Sequence, residues 1–383
     1  MKNFLYIGGE DANQKGAVGT HTIGIINALE CSISISLYCI FYNYAIPAYT
    51  TNDYFIYNTK KPKNNFKKLL NILSYILYVK KLIKSKQVDY IYFRFDPFFY
   101  FIFSFFRWNQ KIIIEYNDIF IDQINFAINK GEWGKFSTII RSSLIYKKFI
   151  LYNEINAFKN SHFTIVVTEG LLNYCNGIYK SSKYVILNNA TNIKINGNIE
   201  KINGKLKLSH VGTLTYWDGL EELIDALIIA QKIDKNFDFE FTIIGDGSLS
   251  KKLMNKILIN DLSKQIKLIS SIPHTDAIKH LLNIDVVPLL KTINTYGLSP
   301  IKYYEALGLG CYLIVSDIKH INEVPKFAGT VVSFPLDINE IALKLIYIFY
   351  NLSEIRLNRI KIINYANENH TWDMRINTLI QLL

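Results

Sequence analysis

The stretch Ser299-Pro300-Ile301-Lys302-Tyr303-Tyr304-Glu305 combines residue types and spacing that could do chemistry. Ser299 suits a helix N-cap and Pro300 the first helical turn. A helix N-terminus offers unpaired N–H groups and the positive end of a dipole, which together suit a phosphate. A lysine there is unfavourable on dipole grounds, so an anion partner best explains Lys302. Glu305 follows three residues later on roughly the same face, where a carboxylate can accept both hydroxyls of a ribose. The plainer reading is a solvated Lys–Glu pair at a helix start. Other loops share the layout of strand, turn and helix. Val211-Gly212-Thr213-Leu214 precedes a helix opened by Asp218-Gly219-Leu220, and Gly245-Asp246-Gly247-Ser248 follows a β-branched run. Near the N-terminus, Gly8-Gly9 leads through a polar loop to Gly16, Gly19, Thr20 and His21. Such a loop permits backbone approach to a ligand, or is a plain turn.

Several chemistries are excluded. The first loop is not G-x-G-x-x-G, and no acid ends the second strand, Leu37–Ile40, so both marks of a nicotinamide-binding fold are missing. No Gly-Lys-Ser/Thr P-loop occurs. No Asp-x-Asp pair is available to clamp a divalent cation on a diphosphate. The seven histidines show no metal-ligand spacing, so neither a metal nor another cofactor is expected. Four scattered cysteines, Cys31, Cys39, Cys175 and Cys311, lack CxxC spacing and read as reduced, cytosolic thiols.

The elements that must position these loops alternate from end to end. Strands are predicted near Asn3–Ile7, Ile33–Ile40, Tyr90–Phe93, Lys111–Glu115, Phe163–Thr168 and Tyr184–Leu187. A second set falls near Leu208–Gly212, Glu240–Gly245, Ile266–Ile269, Asp285–Leu289, Tyr312–Ser316 and Thr330–Ser333. Helical patterns such as Leu220–Ile233 and Ser248–Ile259 lie between them, and the chain is helical from Asp337. Alternation of this kind predicts parallel sheets covered on both faces. Two sets of six strands exceed one sheet. The fold class is therefore α/β, with two doubly wound domains facing a cleft. They join in the polar, aperiodic stretch Asn188–Lys205. Ligands of open α/β sheets bind beyond the carboxyl ends of the strands, where these loops lie.

The formal net charge is +11, from 43 Lys+Arg and 32 Asp+Glu. Lys60–Lys86 alone holds nine lysines and no acid, leaving +2 for all other residues. A nucleic-acid binder would spread lysines and arginines over a face, so that class is disfavoured. Leu69, Leu70, Leu73, Ile76, Leu77 and Leu82 fall close to helical spacing, flanked by Lys67, Lys68, Lys80, Lys81 and Lys84. A basic amphipathic helix lies on a membrane surface or packs its apolar stripe on a sheet. Pro97–Trp108, PFFYFIFSFFRW, meets headgroups or fills a core, the core being favoured. The apolar run at the N-terminus ends at Ile7, short of a signal peptide, and the uncharged runs Leu69–Val79 and Pro97–Phe106 fall short of the roughly 20 residues that span a bilayer.

At these motifs the chain resembles a GT-B glycosyltransferase, most similar to family 4, the retaining nucleotide-sugar transferases. VGTLTYWDGLEELIDA resembles the family's glycine turn and helix, FTIIGDG its following strand, and GLSPIKYYEALGLGCYLIVSD its signature helix. YIYFRFDPF, IIIEYND, VVTEG and VILNNATN resemble first-domain segments, and the terminal helices with Trp372 resemble a tail crossing back to that domain. The resemblance implies an acceptor domain over 1–195, a nucleotide-sugar domain over 196–365 and a returning helix over 366–383. By position, Glu305 would bind the donor ribose. Ser299 and the adjacent backbone at Pro300 and Ile301 would face the diphosphate, and Thr213 and Gly245 would also bind substrate. Ser271 and Ile272 would meet the base, and Gly16 would close over the phosphates. Asn117 and Asp118 would lie near the transferred sugar or acceptor.

The chain departs from the family pattern at three places. Gly297 replaces the first acid of Glu-x7-Glu, and the phosphate-binding Arg and Lys positions hold Thr213 and Asp218. Positive charge must then come from elsewhere, with Lys302 the best candidate, as in a subgroup with SPxK before the Glu. The implied activity is metal-independent, retaining transfer of a sugar from a UDP- or GDP-sugar to a glycan or lipid-linked acceptor in surface polysaccharide biosynthesis. It would take place at the cytoplasmic membrane face, with no nucleic acid. The alternatives are an inactive partner subunit, suggested by the same departures, and a sugar-nucleotide 2-epimerase, whose dense set of acids and histidines is not seen.

Overall fold

The computed structural model describes residues 2–8, 17–32, 35–42, 54–57, 65–129, 135–193, 204–293 and 299–383. Gly16 and Gly297 lie outside them. Two parallel sheets form. The first contains β1 (Lys2–Gly8), β2 (Ile35–Tyr42), β3 (Tyr54–Tyr57), β4 (Tyr90–Arg94), β5 (Lys111–Tyr116), β6 (Phe163–Val166) and β7 (Tyr184–Ile186), in the order β3-β2-β1-β4-β5-β6-β7. The second contains β8 (Leu206–Val211), β9 (Phe239–Ile244), β10 (Ile266–Ile269), β11 (Val286–Leu289), β12 (Tyr312–Ser316) and β13 (Gly329–Val332), in the order β10-β9-β8-β11-β12-β13. The first sheet therefore has seven strands where six were expected. Tyr54-Phe55-Ile56-Tyr57 adds an edge to β2, and four residues are too few to announce themselves by periodicity.

Continuous apolar runs such as Phe4–Ile7 and Leu313–Val315 are buried because helices cover both faces. Helices Asn65–Lys86, Pro97–Phe103 and Leu144–Asn160 cover one face of the first sheet. Ala17–Glu30 and Trp372–Leu382 cover the other, the latter supplying Trp372, Ile376 and Leu379. Leu220–Ile233, Ser250–Ile259 and Ile338–Tyr350 cover one face of the second sheet, and Ile301–Gly308 with Arg359–Asn369 the other. In each sheet the strand order reverses once, between β1 and β4 and between β8 and β11. At such a switch point the flanking loops part and leave a crevice beyond the strand ends.

Two local expectations need correction. The leucines of helix Asn65–Lys86 do not form one stripe. Tyr75, Ile76, Val79, Leu82 and Ile83 enter the core, whereas Leu69, Leu70, Leu73, Leu77 and Tyr78 stay 36–52% exposed. The helix is apolar on two faces, and only one is covered by this chain's described residues. Ser299 does not cap the next helix. Helix Ile301–Gly308 starts after Pro300 with no side-chain cap. The aromatic segment behaves as core, with Tyr100, Ile102 and Phe103 buried and Phe103 stacked on Trp108 at 4.2 Å between centroids.

Candidate functional site

The switch point of the second sheet gathers charged groups from three loops. β8 ends at Val211 and turns through Gly212, whose φ of +147° is open to glycine. A methyl on Gly212 would sit 3.3 Å from Lys302 Nζ and 3.9 Å from His210 Nε2, so both side chains lie against this turn. Gly245, after β9, has φ +148°, and a methyl there would strike Gly212 O at 1.8 Å. Its visible role is to let two loops pack backbone to backbone.

Asp218 lies two residues before helix Leu220–Ile233. Its Oδ2 accepts from Thr215 Oγ1, and its Oδ1 accepts from Lys291 Nζ at 2.6 Å and from Lys302 Nζ at 3.5 Å. Lys291 leaves the carboxyl end of β11, and its backbone N–H donates to Ser316 Oγ at 2.7 Å. Thr292 next to it donates to Trp217 O and Tyr216 O, lacing the β11 loop to the β8 loop. Asp218 and Lys291 side chains are 5% exposed, whereas Lys302 is 25% exposed and faces the mouth.

Burial pushes the Asp218 carboxyl up, but Lys302 and Lys291 outweigh it and hold the group well below the usual carboxylate range. Burial also lowers the Lys291 ammonium, against the pull of Asp218. His210, 1% exposed, is pushed well down first by burial and then by Lys302, so its imidazole is neutral at pH 7. Neither of its ring nitrogens has a hydrogen-bond partner. Two ammonium groups thus face one carboxylate and a neutral imidazole with unused polar atoms. The four groups sum to +1, a place for an anion.

Lys302 and Glu305 diverge. Glu305 Oε1 meets His274 Nε2 at 2.7 Å, while Lys302 turns to Asp218. The plainer reading, a mutual Lys–Glu pair, is therefore not the geometry found. His274 opens helix His274–Leu281 directly after Ser271, Ile272 and Pro273, so it joins the loop assigned to the base to the carboxylate assigned to the ribose. Its hydrogen bond to Glu305 raises the imidazole above its usual range, against burial. Ser271 N–H donates to Asp246 Oδ2 at 2.9 Å, and Thr213 is exposed on the turn beyond β8. Ser299 is used across the domains. Its Oγ accepts from Asn189 N–H at 3.1 Å and pairs with Tyr304 OH at 3.1 Å.

In the first domain Glu115, at the end of β5, is enclosed by His21 at 2.8 Å, by Tyr92 OH and by Arg375 from the returning helix. Burial opposes its ionisation, but His21 and Arg375 outweigh that and hold the carboxyl well below its usual range. Oriented by these neighbours, the Asn117 amide donates to Glu115 Oε1 at 3.2 Å and accepts from Arg94 Nε at 3.1 Å. Asp118 accepts from Ile119 N–H at 2.8 Å and Gln123 Nε2 at 2.6 Å. These contacts fix both residues at the strand end. Helix Ala17–Glu30 touches helix Ile301–Gly308.

Residues 192–366, the span that holds this charge centre, match the family model of glycosyl transferases group 1. Residues 192–366 thus fall in the group 1 glycosyltransferases, on a chain with the GT-B fold. Sucrose-phosphate synthase from Thermosynechococcus elongatus has a similar fold, at TM-score 0.75 and 13% identity over 100% of this chain and 98% of that one. Anabaena HepE in complex with UDP and glucose superimposes at TM-score 0.70 and 13% identity, over the whole of both chains. WaaG, a glycosyltransferase involved in lipopolysaccharide biosynthesis, does so at 0.62 and 12%, over 99% and 98%. No curated protein sequence matches the chain.

Lys291, His210 and His274 escape sequence reasoning. Their only signals are a lysine two residues past a strand end, a histidine inside an apolar strand and a histidine opening a helix.

Proposed function

We propose that this glycosyltransferase moves a sugar, with retention, from a UDP- or GDP-sugar to a glycan or lipid-linked acceptor in bacterial surface polysaccharide biosynthesis. The reading is carried by one observation, the Lys291–Asp218–Lys302 centre beside His210 at the switch point of the second sheet. Negative charge grows on the departing diphosphate as an oxocarbenium-like sugar forms. Fixed cations in a partly dry site stabilise that charge without reorganising. Asp218 orients the two ammonium groups, and Lys302 at the mouth meets the β-phosphate. His210 offers a neutral N–H beside it. Glu305 holds the ribose, with His274 setting its position. Asn117 and Asp118 border the transferred sugar from the opposite domain. HepE holding UDP and glucose on the same fold favours a UDP-sugar.

We further assign the acceptor role to 1–195, the donor role to 196–365 and the return to 366–383. The relocated cations favour an active enzyme over an inactive partner. We assign the reaction as metal-independent, because the sequence has no Asp-x-Asp pair and no ligand-spaced histidines. No helix among the described residues is long and apolar enough to cross a membrane. The exposed leucines and lysines of Asn65–Lys86 support peripheral work at the inner membrane face, next to a lipid-linked acceptor.

Calorimetry with UDP and GDP, and release of labelled sugar from their hexose conjugates, test this. Micromolar binding of one nucleotide is expected, with Lys302→Ala slowing turnover about 10²–10³-fold. A protein that binds neither nucleotide, or an unaltered Lys302→Ala rate, refutes it.

A further inference from the structure

At the end of helix Asn65–Lys86 remote from the cleft lies an open surface cavity of about 500 Å³. Lys80, Lys84, Gln87, Arg107, Trp108 and Asn109 line it, together with Ile83, Val88 and Gln110. The lining holds three cations, three side-chain amides and no carboxylate. Trp108 forms a fixed wall, stacked on Phe103 and donating its Nε1–H to Phe103 O at 3.0 Å. Lys80 Nζ sits 5.0 Å from the Phe106 ring and 5.5 Å from the Trp108 ring, which holds one cation at the rim. Arginine beside lysines, with amide donors between, is the chemistry that grips a phosphate.

The same helix indicates which phosphate. Leu70, Leu73, Leu77, Lys81 and Lys84 are all exposed and follow one another at intervals of three, four, four and three, one line along the helix. The line is apolar at first and basic over its last turns. Leu77 and Lys84 are about 10 Å apart along the axis. A helix tilted at a membrane interface, its leucine end at acyl depth and its cations at headgroup level, would use this line. Because Asn65–Lys86 connects the parallel strands β3 and β4, it runs antiparallel to them. Its leucine end lies at the carboxyl edge of the sheet, beside the cleft, and its basic end at the amino edge.

We propose that the Lys80–Lys84–Arg107 cavity binds the phosphate of an anionic lipid headgroup while Leu70, Leu73 and Leu77 enter the acyl layer. This rests on the membrane reading above but names a specific subsite. Two anchors at opposite ends of one helix would fix how the cleft edge meets the bilayer.

The test is flotation of the full chain with vesicles of phosphatidylcholine alone, or with phosphatidic acid or phosphatidylserine at matched surface charge. The bare phosphate of phosphatidic acid should be bound about tenfold more tightly than phosphatidylserine, equivalent to about 1.4 kcal/mol. Lys84→Gln/Arg107→Gln should abolish that preference. Lys67→Gln/Lys81→Gln, which removes equal charge outside the cavity, should weaken both affinities and keep the preference. Leu73→Ser/Leu77→Ser should lower binding to all vesicles. Equal effects of the two charge pairs with no headgroup preference overturn the subsite and leave the membrane reading standing. Equal binding to neutral vesicles does the same. Wild-type protein that floats with no vesicle overturns both. Calorimetric binding of inorganic phosphate that Arg107→Gln removes, with flotation unchanged, assigns the cavity to soluble phosphate and overturns the lipid.

Discussion

Lys291→Met is the sharpest probe of the charge centre. At an effective dielectric of about 20, the 2.6 Å Lys291–Asp218 contact is worth about 6 kcal/mol of attraction and the 3.5 Å Lys302–Asp218 contact about 5. Desolvation of the nearly buried partners offsets much of this. Removing Lys291 leaves Asp218 with only the half-buried Lys302, so the cost is set by the orphaned carboxylate, about 3–5 kcal/mol. Asp218→Asn on top of Lys291→Met removes that orphan and should restore most of the stability, read by urea unfolding. Function should not follow. The double variant has lost the buried cation behind Lys302 and the carboxylate that aims Lys302. Sugar release should stay about 10²–10³-fold below wild type, with circular dichroism unchanged. If the pair merely staples the β8 and β11 loops together, turnover will recover with stability. A double variant with wild-type stability and wild-type turnover refutes the catalytic reading.

Glu305→Ala should weaken nucleotide affinity by about 1.5–3 kcal/mol with little change in the rate of the bound complex, because the ribose is bystander to the reaction; a calorimetric affinity equal to wild type counts against it. His274 has its folded pKa raised above 6.5, so its pair with Glu305 adds stability below that pH and loses it as pH rises through the folded value. The imidazole is half exposed, and His274→Ala should cost under about 1 kcal/mol in melts at pH 6 and nothing at pH 9. Glu154 carries the same sign, through burial and not through pairing. Burial raises its carboxyl to about 7, against the hydrogen bonds from Tyr116 at 2.6 Å and Tyr174 at 3.0 Å. Between 4.5 and 7 the unfolded chain ionises this group and the folded chain does not, so stability falls as pH rises, by at most about 3 kcal/mol. Glu154→Gln should remove that loss between pH 5 and pH 8 in urea titrations. Transfer should continue in excess EDTA; full loss restored by manganese would reverse the metal-free assignment.

The sheets were legible because buried parallel strands write themselves as short apolar runs, and helices separate most of them. The helix that carries Lys302 and Glu305 was legible because a proline marks where a helix begins. Their partners were not. Lys291 reaches Asp218 across 73 positions and His274 reaches Glu305 across 31, and no periodicity carries such pairings. Ser299 misled for a related reason. Its hydroxyl was free to cap the helix locally, but the backbone of Asn189, 110 residues away, takes it instead. The leucines of Asn65–Lys86 were read as one stripe because 3.6-residue spacing does not distinguish a wide apolar face from two separate ones.

The returning helix bears on the order of events during synthesis. His21 lies beside Arg375, 354 residues later, and a methyl on Gly24 would strike the Trp372 ring at 2.4 Å, so helix Ala17–Glu30 is shaped to its late partner. At about 5–20 residues per second, roughly 20–70 s separate the emergence of these two contacts from the ribosome. Until then one side of Ala17–Glu30 and the buried Glu115 carboxylate face water without their cover. The second sheet, built from a contiguous span ending before Trp372, needs no such wait. It is complete once Arg359–Asn369 has emerged, and the opening domain only a few residues later, when the 370s leave the exit tunnel.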